Sequence, residues 1–406
     1  MMSVLAEPAV NTATGDAIAR RNARFLAVAG ALAGANAMVV FATGALIGHA
    51  LAPVEGLATL PVTTFVIGTA FSTLPVATMA RKFGRRSVFM AGNVTGAWAG
   101  LLGALALYLG SFWLYCCATV LAGAYHAVIS SYRFAAADTA SPAFRPTAIS
   151  WVLTGGLVAA FIGSPLVIAT KELSLPYLYL ATYLAQAAVA IGAMAFTSRF
   201  TDAPPLPANT VPARPLAEIA RTPRFIVAVL CGTLAQGLMN MVMTSAPLAM
   251  EMCGYSATES TLGIQWHVVA MYAPSFFTGA LIARFGKERM VVAGLALLAG
   301  CAMIGLSGTT ITHFWVGLVV LGIGWNFAFI SASAIVTDCH HSSERTKVQG
   351  LNDTLIFATT AVGSFLSGQL LASAGWSAIN QTVIPLSLVG IFAILFLHMK
   401  RPHASH

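Results

Sequence analysis

The sequence has few charged residues and few cysteines, and each scarcity excludes a class of protein. Charged residues make up 8% of the 406 residues, against about 25% in a soluble globular chain. The six cysteines are scattered and show no zinc-finger spacing, so they fit neither a disulfide scaffold nor a zinc module. A soluble globular protein and a disulfide-rich secreted protein are therefore excluded.

Signals for export, for nucleic-acid binding and for enzymatic chemistry are also lacking. Residues 1–24 hold no apolar core, and their arginines come last, so we expect no cleavable signal peptide. The net charge of +8 comes from short clusters between apolar stretches rather than from a basic face, which argues against nucleic acid as a partner. We see no nucleotide-binding loop and no nucleophile–base pair, so neither an ATP-driven protein nor an enzyme is expected.

The chain instead contains many long hydrophobic segments. Hydrophobic residues make up 58% of it, and the mean hydropathy is +0.81. Crossing about 30 Å of hydrocarbon takes about 20 apolar residues. The sequence predicts twelve such spans, at 25–50, 57–80, 87–109, 112–135, 147–170, 177–198, 224–250, 259–283, 290–308, 311–337, 348–373 and 379–399. We expect prolines inside them, Pro274 among them, to be tolerated within membrane helices.

The distribution of positive charge predicts the orientation of these spans. With the N-terminus inside, 19 of the 21 Lys and Arg residues fall on cytoplasmic segments. Lys171 alone falls outside, and Arg133 lies within the fourth span. Since cytoplasmic loops of membrane proteins are enriched in Lys and Arg, both termini are expected in the cytoplasm of a bacterial inner-membrane protein.

The two halves of the chain resemble each other. The segment 80–86, followed by Ala91-Gly92, recurs 202 residues later as segment 282–288, followed by Ala293-Gly294. Asp138 and Asp338 are 200 residues apart, and each is followed after six residues by an arginine, Arg145 or Arg345. The pattern predicts a cytoplasmic segment 1–24, a six-helix bundle 25–198, a linker 199–223, a second bundle 224–399 and a cytoplasmic tail 400–406.

This plan, together with the loops after spans 2 and 8, resembles the major facilitator superfamily. The resemblance implies an all-α membrane protein of the major facilitator fold, with 12 transmembrane helices in two six-helix halves related by pseudo-two-fold symmetry. Both loops lack the aspartate of the family's G-x-x-x-D-R-x-G-R-R signature, because Arg81 and Ala283 occupy its place. A gating salt bridge cannot therefore be carried over from the family.

Ionisable residues at membrane depth are costly and suggest a function. Arg133 is the cation within the spans; it could hold an anionic substrate, exchange partners, or form a structural pair with Asp138 or Asp353. Asp353 could carry a coupling proton or serve only as a partner. We therefore predict a gating or coupling role for Arg133, Asp138 and Asp353, and a structural ion pair remains the alternative.

Spans 7 and 8 carry soft metal-ligating groups at helical spacing. Met239 and Met243 are four residues apart, as are His267 and Met271, so each pair shares one helix face. From the outer ends of the spans, the first pair lies roughly 16 and 10 Å deep and the second roughly 12 and 18 Å deep. Thioethers and imidazole suit Cu(I) rather than hard cations. Helix packing by the same residues is the alternative.

The paired M-x-x-x-M and H-x-x-x-M motifs resemble those of the CcoA-type copper importers of this superfamily. That resemblance implies Met239, Met243, His267 and Met271 as copper ligands. It also implies import of copper by alternating access to supply cbb3-type cytochrome oxidase assembly. Copper would be the substrate, with no bound cofactor. The expected partners are membrane lipid and a cytoplasmic copper acceptor, and the protein is expected to be a monomer. Cys231 and Cys253 could relay or reduce the ion, or could simply pack.

Two other functions stay open. The first is transport of a small organic solute, riboflavin-like and aromatic, in a cavity lined by Trp266, Tyr272, Trp325 and Asn326, with Arg133 binding a negative group. The second is a membrane copper sensor or assembly factor without transport, which the short loops disfavour. Cys339-His340-His341 at the end of span 10 is a further cluster of metal-ligating residue types.

Overall fold

The computed structural model describes residues 12–138, 140–141, 144–202, 214–341 and 344–399. The predicted tail 400–406, residues 1–11 and residues 203–213 of the predicted linker lie outside these ranges. The first half contains α1 Thr12–Leu51, α2 Leu60–Phe83, α3 Arg85–Leu109, α4 Phe112–Ser130, α5 Tyr132–Asp138, α6 Arg145–Thr170 and α7 Leu180–Thr197. The second contains α8 Leu216–Ala220, α9 Pro223–Met252, α10 Ala257–Tyr272, α11 Ser275–Phe285, α12 Lys287–Ser307, α13 Ile311–Thr337 and α14 Arg345–Met399.

The helices confirm the predicted all-α membrane fold. Ten helices within the described residues are long and apolar enough to cross a membrane, or eleven when α10 and α11 are counted as one bent span. The α14 helix spans two predicted crossings, and Gly375 interrupts it with a non-helical backbone (φ 74°). Divided at that kink, α14 supplies the last two of twelve spans.

Two boundaries differ from those expected. The first helix begins at Thr12, so its first turns already include the arginines that precede the first apolar run. Span 8 is broken: α10 and α11 meet at an angle of 44°, with Pro274 at the break. The expectation that Pro274 would sit within a continuous helix is wrong, because proline removes a helical hydrogen bond and its ring clashes with the preceding turn.

Small residues allow the helices of each half to pack closely. In the first half, α1 lies against α6, α2 against α4, and α3 against α4 and α7; in the second, α9 lies against α14 and α12 against α13. The halves meet where α2 contacts α14, α6 contacts α10 and α1 contacts α9. Since lipid gives helices no hydrophobic drive to associate, such contacts depend on close packing and on buried hydrogen bonds.

The internal repeat is visible in the backbone. Gly84 (φ 82°, ψ 155°) and Gly286 (φ 87°, ψ 153°) separate consecutive helices in the two halves with nearly identical dihedral angles. Positive φ values of this kind favour glycine over other residues. The matching sequence segments therefore fold into matching turns, at the face predicted to be cytoplasmic.

Candidate functional site

Arg133 lies between the two halves of the protein. It is the second residue of α5 and is exposed, and Asp353 of α14 and Tyr272 of α10 are near enough to influence its charge. Its guanidinium also lies 4.8 Å from the Phe134 ring centroid. Arg133 therefore keeps accessible surface on the first half. Of the two predicted partners, Asp138 pairs with Arg85 at 2.5 Å, and Asp353 forms no ion pair with Arg133 within 4.0 Å.

Aromatic side chains of the second half form one connected group. Tyr272 lies edge-on to Trp325 with ring centroids 6.4 Å apart, and Trp325 stacks on Phe329 at 5.1 Å and 13°. The indole Nε1–H of Trp325 donates to Gln236 Oε1 at 2.7 Å, so the amide group of Gln236 keeps its two N–H donors. All four side chains are half-buried. Sequence reasoning missed Phe329, although its spacing of four residues from Trp325 predicts a shared helix face.

The first half contributes a second group of rings. Phe65 lies 5.4 Å from Phe41 and 5.4 Å from His126, between ring centroids. Phe357 of α14 packs against the same cluster, and His126 interacts electrostatically with Arg133. This ring group of the first half is therefore in contact with the second half through Phe357. No sequence motif identified His126, since a lone histidine in an apolar span has no distinctive spacing.

Asn326, one of the four residues expected to line an organic-solute cavity, is instead fully bonded within the second half. Its amide donates to the Met271 carbonyl at 2.6 Å and to Ser275 Oγ at 2.7 Å, and its oxygen accepts from Thr278 Oγ1 at 2.6 Å. It is fully buried. These bonds satisfy polar groups left by the break between α10 and α11, so Asn326 is a structural residue. Trp266 is exposed and lies 6.5 Å from Phe161 of the other half.

The predicted copper ligands lie inside the second half. Met239, Met243 and Met271 belong to its buried apolar core, and His267 has no exposed surface. The His267 Nδ1 lies 2.8 Å from the Leu318 carbonyl oxygen, whereas its Nε2 is buried without a hydrogen-bond partner. Because a carbonyl only accepts, Nδ1 carries the proton and Nε2 presents a lone pair.

The cysteines are all free thiols. Cys231 is buried, and its Sγ–H donates to the Gly390 carbonyl at 3.6 Å, while Cys253 is exposed at the end of α9. Cys339 Sγ–H donates to the Ile335 carbonyl at 3.3 Å. Within the described part of the chain, no group of three or more His, Cys, Asp and Glu side chains could hold a metal ion. The Cys339-His340-His341 run therefore does not assemble such a group.

Charge pairs at the predicted cytoplasmic face repeat between the halves. Arg85 pairs with Asp138, and the equivalent Lys287 pairs with Asp338 at 2.6 Å. Arg224 also contacts Asp338, at 2.8 Å. Partial burial raises the pKa of Asp338, but hydrogen bonds from Lys287 and Arg224 lower it by more. The loops that lack the signature aspartate thus still carry paired charges.

In the first half, an aspartate of the linker lies beside the loop that lacks the signature aspartate. Asp202 Oδ1 accepts from the backbone N–H groups of Arg85 at 2.7 Å and Arg86 at 3.2 Å, at the start of α3. An aspartate there satisfies free amide donors and suits the positive end of the helix dipole. Farther along, Arg214 forms a two-pronged pair with Glu344, at 2.7 and 2.8 Å. The linker is therefore tied to the first half at one end and to the second half at the other.

At the opposite face, hydrogen bonds join the two halves. Thr63 Oγ1 lies 3.1 Å from Ser364 Oγ, and Gln369 Nε2 donates to the Gly56 carbonyl at 2.9 Å. Lys171 Nζ donates to Thr258 Oγ1 at 3.1 Å. We call these contacts the outer junction. They bring the halves together on the side away from the repeated charge pairs.

The chain is similar to membrane transporters along its whole length. The Major Facilitator Superfamily profile matches residues 25–274 and 266–406. The riboflavin transporter RfnT of Brucella anthropi is 46% identical over 393 residues, covering 95% of this chain and 98% of that protein. The MFS-type transporter YdeG of Bacillus subtilis is 29% identical over 367 residues, covering 86% and 85%.

A solved structure shows the same fold. The crystal structure of a single-residue mutant of the nucleoside transporter NupG matches with a TM-score of 0.70 over 92% of this chain and 99% of that one, at 14% identity. The predicted transporter fold is confirmed, as is the expectation that the protein is not an enzyme. Because the family profile covers most of the chain and a transporter 46% identical to it spans 95% of its length, the chain belongs to the Major Facilitator Superfamily of transporters.

Proposed function

We propose that the protein transports riboflavin or a closely similar planar aromatic solute by alternating access of its two halves. The similarity to a named riboflavin transporter extends over nearly the full length of both chains. It favours the organic-solute alternative over copper import, because neither relative quoted above is named for copper. The positive-inside pattern supports a bacterial inner-membrane location with both termini in the cytoplasm.

The observation that carries the proposal is the group formed by Tyr272, Trp325, Phe329 and Gln236, which combines aromatic rings with free N–H donors. A flat tricyclic ring can stack on Trp325 or lie edge-on to Tyr272, arrangements that aromatic pairs prefer. Its carbonyl oxygens accept hydrogen bonds, and both Arg133 and Gln236 carry N–H donors. Ligand sites combine apolar walls with a few placed polar groups in this way, and transporters bind their substrates between repeats.

Riboflavin uptake tests the proposal in cells that lack their own importer. Trp325→Ala should reduce uptake roughly tenfold. Losing the stacking and contact area should weaken riboflavin binding by about 1.4 kcal/mol, which corresponds to a factor of ten. Trp113→Ala is the matched control, because Trp113 is 61% exposed on α4 and should retain uptake at equal membrane expression. A wild-type protein that moves no riboflavin would overturn the proposal.

Copper transport is a second candidate, favoured by the geometry of His267. A metal-binding histidine commonly donates its other ring N–H to a carbonyl or carboxylate, which orients the free nitrogen. His267 does this toward Leu318 and keeps Nε2 without a partner. Met239, Met243 and Met271 would complete a soft ligand set, and Cys231 and Cys253 could act as relay thiols.

Radioactive copper uptake tests this candidate. His267→Ala should abolish copper uptake if Nε2 binds the ion, while His313→Ala should leave uptake intact, since His313 is bonded to Thr310 in an exposed position at the start of α13. Riboflavin uptake should be unchanged in both variants, which separates the two functions. Equal copper uptake by the wild type and His267→Ala would exclude these ligands.

A further inference from the structure

The first turns of α1 carry three arginines around a cleft. Arg20, Arg21 and Arg24 are exposed and, together with Ala17 and Phe25, line a cleft of about 390 Å³. Small-molecule sites in proteins commonly have volumes of about 300–1,000 Å³. The lining residues follow one another at intervals of three and four, which places them on one side of the helix. The cleft therefore combines three positive charges with two apolar side chains.

Aromatic rings at the start of α6 lie against two of these guanidinium groups. The guanidinium carbon of Arg20 lies 5.1 Å from the Phe144 ring centroid, and that of Arg24 lies 5.6 Å from the Trp151 ring centroid. The two rings pack edge to face, with centroids 5.7 Å apart at 86°. A ring face attracts a guanidinium electrostatically without accepting its N–H groups in the plane. Both arginines are therefore positioned by α6 and keep donors for a ligand.

No acidic side chain neutralises the cleft. Asp16 lies one turn before Arg20, but its two oxygens accept from the backbone N–H and the hydroxyl of Ser141, each at 3.0 Å. Arg21 donates to the neutral Thr201 Oγ1 at 2.7 Å. Among the residues that the structure describes, none of the three arginines has a carboxylate within 4.0 Å. The positive charge of all three is therefore available to an anion.

The cleft lies at the depth of lipid headgroups on the face predicted to be cytoplasmic. The first apolar run begins at Phe25, so Arg24, Arg21 and Arg20 lie about 1.5, 6 and 7.5 Å outside it along the helix axis. The headgroup layer extends about 5–7.5 Å beyond the hydrocarbon on each side. Val28, four residues after Arg24 on the same helix face, is 43% exposed. Positive charge thus meets lipid-accessible apolar surface at this point.

We propose that this cleft binds the phosphate headgroup of an anionic phospholipid of the cytoplasmic leaflet. Guanidinium groups bind phosphate oxygens through paired, charged hydrogen bonds, and basic clusters beside a membrane helix attract anionic lipids. Phe25 and Val28 contact the acyl chains, which free phosphate does not have. The lipid then joins the start of α1 to α6. This site is independent of the solute that the protein transports.

Native mass spectrometry tests the proposal on the purified full-length protein in a neutral detergent. Titration with phosphatidylglycerol or phosphatidylcholine gives the dissociation constant of the first bound lipid, and the wild type should bind phosphatidylglycerol at least tenfold more tightly. Each basic side chain near a membrane surface contributes roughly fivefold to the affinity for an anionic lipid. Arg20→Gln/Arg21→Gln/Arg24→Gln should therefore weaken phosphatidylglycerol binding on the order of 100-fold and leave phosphatidylcholine binding unchanged.

A second triple variant controls for net charge. Arg221→Gln/Arg284→Gln/Arg289→Gln removes the same charge from exposed positions of the second half and should bind phosphatidylglycerol as the wild type does. Arg24→Gln alone should weaken binding roughly fivefold, which provides a result if the first triple variant does not fold.

Three outcomes would overturn the proposal. The first is equal affinity of the wild type for the two lipids. The second is an equal loss of phosphatidylglycerol binding in both triple variants, or no loss in either. The third is displacement of phosphatidylglycerol by inorganic phosphate at the same concentration, which would identify free phosphate rather than lipid as the ligand.

Discussion

At the scale of single residues, the buried carboxylate of Glu344 shows how the linker is held. Its oxygens accept hydrogen bonds from Arg214 and from the His341 backbone N–H at 2.9 Å. The Arg214 guanidinium, and then the backbone donors, hold the pKa of Glu344 well below its ordinary value of 4.5. A depressed pKa means that the carboxylate contributes stability above pH 4.5 and loses this contribution as pH falls toward the folded-state pKa.

Glu344→Gln is expected to unfold at a lower temperature than the wild type, by a constant margin between pH 8 and pH 5. Below about pH 4.5 the margin should shrink, because the wild type then loses the same charged contacts. Thermal unfolding of the purified protein across this pH range measures the effect. Glu218→Gln in the same linker is the matched control, and it should lower the unfolding temperature less than Glu344→Gln does at pH 8. A difference in unfolding temperature that grows as pH falls would contradict the ion pair between Arg214 and Glu344.

At the scale of helices, the break between α10 and α11 depends on one residue of another helix. Asn326 of α13 bonds with Met271, Ser275 and Thr278 across the 44° bend. Bent membrane helices need neighbouring side chains to satisfy the freed backbone groups. Asn326 therefore holds the end of α10, where Tyr272 is the last residue.

Asn326→Ala should destabilise the protein by about 1–3 kcal/mol for each buried polar group left without a partner. Thr278→Val removes one of the three contacts and should cost less. Thermal unfolding of the two variants beside the wild type gives the comparison. Equal stability of Asn326→Ala and the wild type would show that the bend does not depend on these bonds.

At the scale of the whole molecule, the outer junction joins the two halves on one side. Thr63 and Ser364 point their hydroxyl groups at each other across α2 and α14, and Gly368 lies so close to Thr59 that an added Cβ would approach Thr59 Oγ1 within 2.1 Å. This close approach requires glycine. Alternating access moves the halves against each other, so the outer junction must separate during each cycle.

A disulfide across the outer junction should stop transport. The Thr63→Cys/Ser364→Cys double variant places two sulfurs where hydroxyl oxygens lie 3.1 Å apart, close to disulfide geometry. Oxidised protein should lose riboflavin uptake, and a reducing agent should restore it. Each single variant is the control and should retain uptake under oxidation. Uptake by the fully cross-linked protein would show that the outer junction does not separate.

Much of the fold follows from the sequence, for a physical reason. Hydrocarbon requires long apolar helices and excludes most charge, so span positions can be read from composition alone. The break at Pro274 and the helical start before Arg20 were not predicted, because helix ends depend on local backbone bonds that hydropathy does not reveal. The repeat at 200–202 residues predicted the matching turns at Gly84 and Gly286.

For the candidate site, the sequence predicted several of the residues, whereas their contacts became known only from the tertiary structure. The sequence by itself determined that Arg133 and Asp353 are costly charges at membrane depth, and that the chain is a transporter of two six-helix halves. Only the tertiary structure decided that Asp138 pairs with Arg85, that Phe329 stacks on Trp325, and that Asn326 bonds across a helix break. The reason is that span positions depend on the local sequence, whereas partners between helices depend on how distant segments pack.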